Sequence, residues 1–172
     1  PRAAAQEMQR QFEQSLRLMK TDHVDLLHIH SVGDRQPELV LGAGGPLEFA
    51  RKLKQKGQTR FIGITGHNRV SRFASIIETG EIDVIMVVLN FADYNTYRFE
   101  EELLPVARKH RCGILAMKVF GGHRNNFAGY RERGPSKMPV PLLEKAMRYS
   151  LSIESVAGAV IGPYAVEEVK QN

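Results

Sequence analysis

Three observations predict a parallel α/β fold. Five apolar runs alternate along the chain with segments of helical periodicity. The central run, residues 84–89, is apolar without interruption, which argues for burial on both faces of a sheet. Each run also ends near a residue suited to chemistry or to close backbone approach: His30, Thr65, Asn90, Lys118 and Gly162. Strands that alternate with helices pair in parallel through right-handed crossovers. Their C-terminal ends then open on one face, where active sites collect because loops vary there without disturbing the sheet. An enzyme site on that rim is the leading reading. Units of about 30 residues suit either an open doubly wound sheet or a segment of a barrel, and five of them cannot close an eight-stranded ring.

The elements follow in order. Residues 2–20 carry a helical pattern, with Met8, Phe12, Leu16 and Met19 on one face. The first strand is expected over 24–30. A long connection, 31–46, has turns marked by Gly42, Gly44, Gly45 and Pro46. A helix over 47–56 turns Leu47, Ala50 and Leu53 inward and closes at Gly57. The second strand is 60–65. Asn68 is placed to cap the following helix, whose stripe is Val70, Phe73, Ala74 and Ile77 and which stops at Gly80. The third strand is 82–90. A helix over 98–111 contains Pro105, which either kinks it or marks its first turn. The fourth strand is 113–120. The stretch 121–141, rich in Gly, Pro and Arg, has the length of a lid or binding loop. A helix at 142–151 and a strand at 156–161 complete the pattern, before a short helical tail over 165–172.

At 172 residues the length fits one domain, 1–172, with an ample core. A composition 42% hydrophobic and 25% charged excludes disorder and collagen-like repeats. No apolar stretch approaches the roughly 20 residues of a membrane span. The net charge of +5 suits an anionic ligand such as a phosphorylated cofactor. It does not indicate nucleic acid, because the basic residues are scattered and no recognition motif accompanies them. Cys112 is the only cysteine, which rules out an intrachain disulfide and a thiolate cluster and agrees with a reducing cytoplasm. The chain opens on Pro1 already in a helical pattern and stops without a C-cap signal. Both ends are therefore expected to be cut, and an upstream signal sequence remains open.

Several side chains are candidates for chemistry. His28 and His30 lie two apart on a strand and point to the same face. Either His30 donates a hydrogen bond to a substrate carbonyl, or His28 and His30 join His67, helped by Lys118, around a divalent metal as in a metal-dependent hydrolase on a barrel, or both are satisfied structural histidines. Lys118 places a charge at the end of a buried strand and calls for a carboxylate, a phosphate or solvent. The run Gly42 to Gly45 lacks the spacing of a dinucleotide fingerprint and reads as a turn. Arg124, Arg131, Arg133 and Lys137 face only Glu132 within the long loop, which suits either a flap over a pyrophosphate or a solvated surface.

Together these segments resemble the aldo-keto reductase family over nearly the whole chain, as the last five of its eight βα units. "QSLRLMKTDHVDLLHIH" is similar to the family's helix and fourth strand, which ends in its active-site histidine, here His30. "GQTRFIGITGHN" resembles the fifth strand, "GILAMKVFGG" the seventh, and "VAGAVIGPYAVEEVKQN" the eighth with its cofactor-binding helix. The resemblance implies a partial (β/α)8 TIM barrel and metal-free, NAD(P)-dependent hydride transfer to or from the carbonyl of a small aldehyde or ketone. His30 would orient that carbonyl. A tyrosine, a lysine and an aspartate upstream of Pro1 would complete the site. Thr65 matches a hydroxyl beside the carboxamide, Met117 packs on the nicotinamide, and Lys118, Phe120 and Gly121 begin the pyrophosphate loop. Gly162, Gln171 and Asn172 match the adenosine end, with Gln171 replacing a commonly acidic residue. Gly66 and Met86 replace polar side chains, which leaves open a non-catalytic, nucleotide-sensing role. Glu168 would repel a 2′-phosphate and leaves NAD against NADP undecided.

Overall fold

The computed structural model describes residues 2–120, 139–163 and 165–171. Helix α1 (Arg2–Met19) leads into strand β1 (Val24–Ile29). A 3-10 turn (Val32–Asp34) and helices α2 (Pro37–Leu41) and α3 (Pro46–Gln55) follow. Strand β2 (Thr59–Gly66), helix α4 (Val70–Ile77) and strand β3 (Val84–Val88) come next. Three short helices, α5 (Tyr94–Tyr97), α6 (Phe99–Glu102) and α7 (Leu104–Lys109), lead to β4 (Gly113–Met117). The described chain ends with α8 (Val140–Ser152), β5 (Val156–Val160) and α9 (Val166–Gln171).

The strands form one sheet in the order β1-β2-β3-β4-β5, and every pairing is parallel. Strictly sequential order decides between the two architectures that periodicity left open. A doubly wound sheet reverses its strand order at a switch point and carries helices on both faces. Here no reversal occurs, so right-handed crossovers stack the helices on one side, as in an arc of a barrel. The burial pattern agrees. Ile29, Ile62, Ile64, Ile85, Val87, Ile114 and Ala116 alternate toward the helix layer and form the main core with Leu47, Phe73, Ile76, Leu104 and Ala107. Val84 and Met86 alternate to the other face and are only half-buried, so the expectation of full burial on both faces is not met among the described residues. Phe12 and Leu16 of α1 bury against Leu53 in a second, smaller cluster, while Met19 of the expected stripe stays exposed.

Each helix that leads into a strand is followed by a residue with positive φ. Lys20, Gly57, Gly80, Arg111 and Ser155 take φ between 55° and 74°. After α1, α3 and α7 the turn is closed by i to i−5 bonds: Thr21 N–H to Leu16 O, Gln58 N–H to Leu53 O, and Cys112 N–H to Ala107 O. This is the bond that returns an orphan carbonyl of a helix end to a partner. Gly57 and Gly80 were legible as stop signals. Lys20, Arg111 and Ser155 were not, because nothing about Lys, Arg or Ser marks a left-handed turn.

Four expectations need correction. Asn68 does not cap α4: Arg69 holds the cap position with φ 55°, and Asn68 Nδ2 donates instead to Asp34 Oδ1 at 3.0 Å. The helix expected over 98–111 is broken at Leu103 into α6 and α7, with Pro105 in the first turn of the second, where its missing N–H costs nothing. The connection 31–46 contains a 3-10 turn and α2 rather than turns alone, helped by Pro37 in a first turn. Finally α8 starts two residues earlier than expected, because Pro141 lies inside its first turn.

The left-handed turns yield a paired test. A Cβ at Gly57 would meet nothing within 4 Å among the described residues, so Gly57→Ala is expected to lower unfolding free energy by about 1 kcal/mol from backbone strain alone. Arg111→Gly, which relieves the same strain, is expected to raise it by a similar amount. Denaturant titrations of the two variants against the parent check both signs.

Candidate active site

Parallel pairing places the end of every strand on one rim, and the register says which residues share a level there. His28 pairs with Gly63, Gly63 with Val84, and Val84 with Gly113. One level nearer the rim Thr65 pairs with Met86, Met86 with Leu115, and Leu115 with Gly158. His30 follows the last β1 residue and joins this level, because its Nδ1 lies 3.1 Å from Thr65 Oγ1. Above them Met117 pairs with Val88 and Val160. The imidazole and the hydroxyl therefore meet on the face opposite the helix layer. Thr65 is 2% exposed, whereas His30 is open to solvent.

Two loops lock His30 in place. After β1 the chain turns left-handed at Ser31, φ 56°, and buries Val32 and Gly33. The carbonyl of Gly33 accepts bonds from Arg72 Nη1 at 3.0 Å and Arg69 Nη1 at 3.3 Å, both from the α4 end of the next loop. A side chain at position 33 would stand 2.3 Å from the Asn68 carbonyl oxygen, so only glycine lets the loops close this tightly. Sequence reasoning did not find this lock. Its partners lie 34 or more residues apart, and no spacing signals them.

His28 sits one level below. A Cβ at Gly63 would lie 2.4 Å from His28 Nδ1, so the glycine makes room for the ring. That Nδ1 is buried and has no hydrogen-bond partner among the described residues. Burial, and secondly the neighbouring His30, hold the His28 pKa below its ordinary 6.5. Among the described residues no group of three His, Cys, Asp or Glu side chains comes together to hold a metal, so the histidine pair gains no third ligand. His67 follows β2 and is half-buried.

The remaining candidates lie farther along the rim. Met117 ends β4 on its inner face and is 7% exposed. Lys118 turns left-handed, φ 56°, and both it and Phe120 are half-buried. From β1 to β4 is about 14 Å along the sheet, three steps of about 4.8 Å. A ligand that engages His30 and Lys118 together must be extended. Gly162 is exposed two residues past β5, and among the described residues nothing lies within 4 Å of where its Cβ would stand. Gln171 closes α9 and Glu168 lies in its first turn. Gly121, Asn172 and the basic residues of the long loop lie outside the described residues. Gly66 has a packing reason for lacking a side chain: a Cβ there would lie 2.9 Å from Phe73 Cζ, on the helix side.

Three other groups fall out of the chemistry. Cys112 is buried, and burial followed by the charge of Asp83 pushes its thiol up to about 11, out of the reactive range. Tyr94 donates to Glu101 and Tyr149 to Glu100, both at 2.7 Å. The Glu101 bond raises the Tyr94 pKa; burial, followed by the bond to Glu100, raises that of Tyr149. A proton donor at neutral pH needs the opposite shift.

The sequence model of the aldo/keto reductase family matches residues 1–157. The chain belongs to the aldo/keto reductase family. Among curated relatives it is 23% identical over 186 residues to the L-galactose dehydrogenase of Arabidopsis thaliana, which covers 98% of this chain and 57% of that protein. Among solved structures, an aldo-keto reductase from Pseudomonas aeruginosa, described as putative, superposes with a TM-score of 0.68 at 22% identity, over 98% of this chain and 57% of its own. The glycerol dehydrogenase of Gluconobacter oxydans gives 0.63 at 21% identity, over 97% and 58%. These similarities establish the fold, and with it the barrel-type arc. The chain spans a little over half the length of the relatives it matches. No helix among the described residues is long and apolar enough to cross a membrane.

The His28 seat yields a pH test. Its folded-state pKa lies below the unfolded value, so the unfolded chain binds more protons and stability falls as pH drops below about 6.5. His28→Leu is expected to remove part of that acid-side loss and to raise stability at pH 7 by about 1 kcal/mol through deleting an unpartnered buried atom. Unfolding curves of variant and parent from pH 5 to 8 check this.

Proposed function

We propose that the whole protein transfers hydride reversibly between a nicotinamide dinucleotide and the carbonyl of a small aldehyde or ketone. The observation that carries this reading is the His30–Thr65 pair at the rim, 3.1 Å apart. It presents an oriented imidazole where the family resemblance expects one. With the Thr65 hydroxyl donating to Nδ1, the ring proton sits on Nε2, which points a donor at a carbonyl oxygen. Thr65 Oγ1 keeps its lone pairs to accept an N–H from a carboxamide. A preorganised donor of this kind both orients the carbonyl and stabilises negative charge as it builds on oxygen.

The residues present fit a nicotinamide dinucleotide. A buried hydroxyl at Thr65, an apolar thioether at Met117, a cation at Lys118 and an open backbone at Gly162 succeed one another along the rim. This order suits a ligand with a carboxamide, a flat ring and phosphates. Bound there, the dinucleotide would supply the hydride. The chain's own residues would hold the ring, exclude water from it and fix the carbonyl. In this reading the proton donor and its lysine and aspartate partners belong to the whole protein rather than to residues 1–172. Glu168 would repel a 2′-phosphate and so favour NAD over NADP.

The metal-dependent alternative has less support, since the described residues offer no third ligand beside His28 and His30. A nucleotide sensor on the same scaffold keeps one observation in its favour. Met86, at the level of Thr65, carries no hydrogen-bonding group for a carboxamide.

The full-length protein is expected to quench reduced nicotinamide fluorescence with either NADH or NADPH and to reduce an aldehyde or ketone. His30→Ala is expected to lower kcat/KM by about 10²–10³-fold while leaving nucleotide binding in place. Nucleotide binding without turnover on a broad carbonyl panel would favour the sensor, and no nicotinamide binding at all would end the reductase reading.

A further inference from the structure

Asn90 lies two residues past β3, is 2% exposed, and has no part in the reaction outlined above. Its amide is nonetheless fully engaged. Nδ2 donates to Asp93 Oδ2 at 3.0 Å and to the Lys118 carbonyl at 3.0 Å. Oδ1 accepts the Asp93 N–H at 2.9 Å. Asp93 is itself buried, 6% exposed. A primary amide has two N–H donors, and both have protein partners here. One side chain thus ties the end of β3 to its own loop and, across the sheet, to the turn that ends β4.

That turn is strained. Lys118 takes φ 56°, a region a Cβ disfavours and glycine enters freely. A glycine at 118 would close the same turn without help, yet the chain has a lysine there. Leu89 N–H reaches Met117 O at 3.3 Å, so the strands are still paired at this point. Behind them, Ser150 of α8 donates to Leu89 O at 2.7 Å. Val119, next to the turn, is 1% exposed and anchors its far side. Lys118 therefore leaves β4 in one direction, set on one side by a buried amide and on the other by a buried valine.

We propose that Asn90 is a positioning residue for nucleotide binding: by bonding the Lys118 carbonyl it holds the left-handed turn that aims Met117, Lys118 and Phe120 along the rim. The inference rests on the reductase reading and deepens it. Asn90 touches neither ring nor phosphate. It acts through the backbone of the residue that does.

The test uses the full-length protein and reduced nicotinamide dinucleotide followed by fluorescence. Asn90→Ser keeps a hydroxyl able to accept the Asp93 N–H but too short to reach Lys118. It is expected to raise the dinucleotide Kd at least tenfold, while kcat at saturating nucleotide changes less than threefold. Ser150→Ala removes the neighbouring bond to Leu89 and is expected to leave Kd within twofold. In a Lys118→Gly background, where the turn needs no support, Asn90→Ser is expected to change Kd less than twofold. If Asn90→Ser does not fold, Asn90→Thr, whose hydroxyl likewise accepts the Asp93 N–H and stops short of the Lys118 carbonyl, carries the same comparison. Wild-type protein that binds nucleotide with an unchanged Kd in the Asn90 variant overturns the positioning role and spares the reductase reading. An equal rise in Ser150→Ala, or full additivity with Lys118→Gly, also overturns it. Wild-type protein that binds no nicotinamide dinucleotide overturns both.

Discussion

Every strand of the sheet runs the same way and pairs only with its neighbours in sequence, and the site depends on that constraint. Parallel direction brings all five C-terminal ends to one rim. Sequential order keeps the helices on a single face and leaves the other face for side chains that point inward. Without the first condition His30 and Thr65 would lie at opposite ends of adjacent strands. Without the second, the inner face that carries His28, His30, Thr65 and Met86 would be covered by helices.

Apart from Arg98, between α5 and α6, the left-handed non-glycine residues fall in two sets around this sheet. At the end where helices hand over to strands, left-handed residues close the turns, and i to i−5 bonds at three of them satisfy carbonyls that helix ends leave open. At the rim, Ser31, Arg69 and Lys118 are left-handed without being glycine. These three stand beside polar bonding that ties neighbouring loops together: Arg69 and Arg72 on the Gly33 carbonyl, Asn68 on Asp34, and Asn90 on the Lys118 carbonyl. The first set shapes the fold. The second ties the loop after β1 to the loop after β2, and the end of β3 to the turn after β4, which is what a site assembled from separate strands requires.

The strands were legible as largely apolar runs between turn signals, although Asp25, His28 and Arg60 interrupt β1 and β2, and the glycines at 57 and 80 marked where helices stop. Leu47, Ala50 and Leu53 were read correctly because they recur at the helical period, and all three are the buried residues of α3. The breaks were less visible. Pro105 was read as a kink or a first turn, but the sequence did not say that Leu103 would separate α6 from α7, and Pro141 was read as loop although it lies in the first turn of α8. Of the site, the strand-end residues could be named from position alone, while their meeting could not. The His30–Thr65 bond joins residues 35 apart, and the Asn90–Lys118 bond joins residues 28 apart. Such pairs follow from register, and register is set by the packing of whole strands. Asn68 shows the reverse error, a residue with the right chemistry for a local cap whose side chain serves a longer-range lock instead.

The central claim is that this rim receives an extended nucleotide with its reacting end beside His30. A crystal structure of the full-length protein with a reduced nicotinamide dinucleotide tests it most directly. The account predicts the carboxamide at Thr65, the ring against Met117, the phosphates toward Lys118 and Gly162, and the His30 Nδ1–Thr65 bond intact. A nucleotide seated at the opposite ends of the strands, or a His30 ring turned away from Thr65 when it binds, would contradict it.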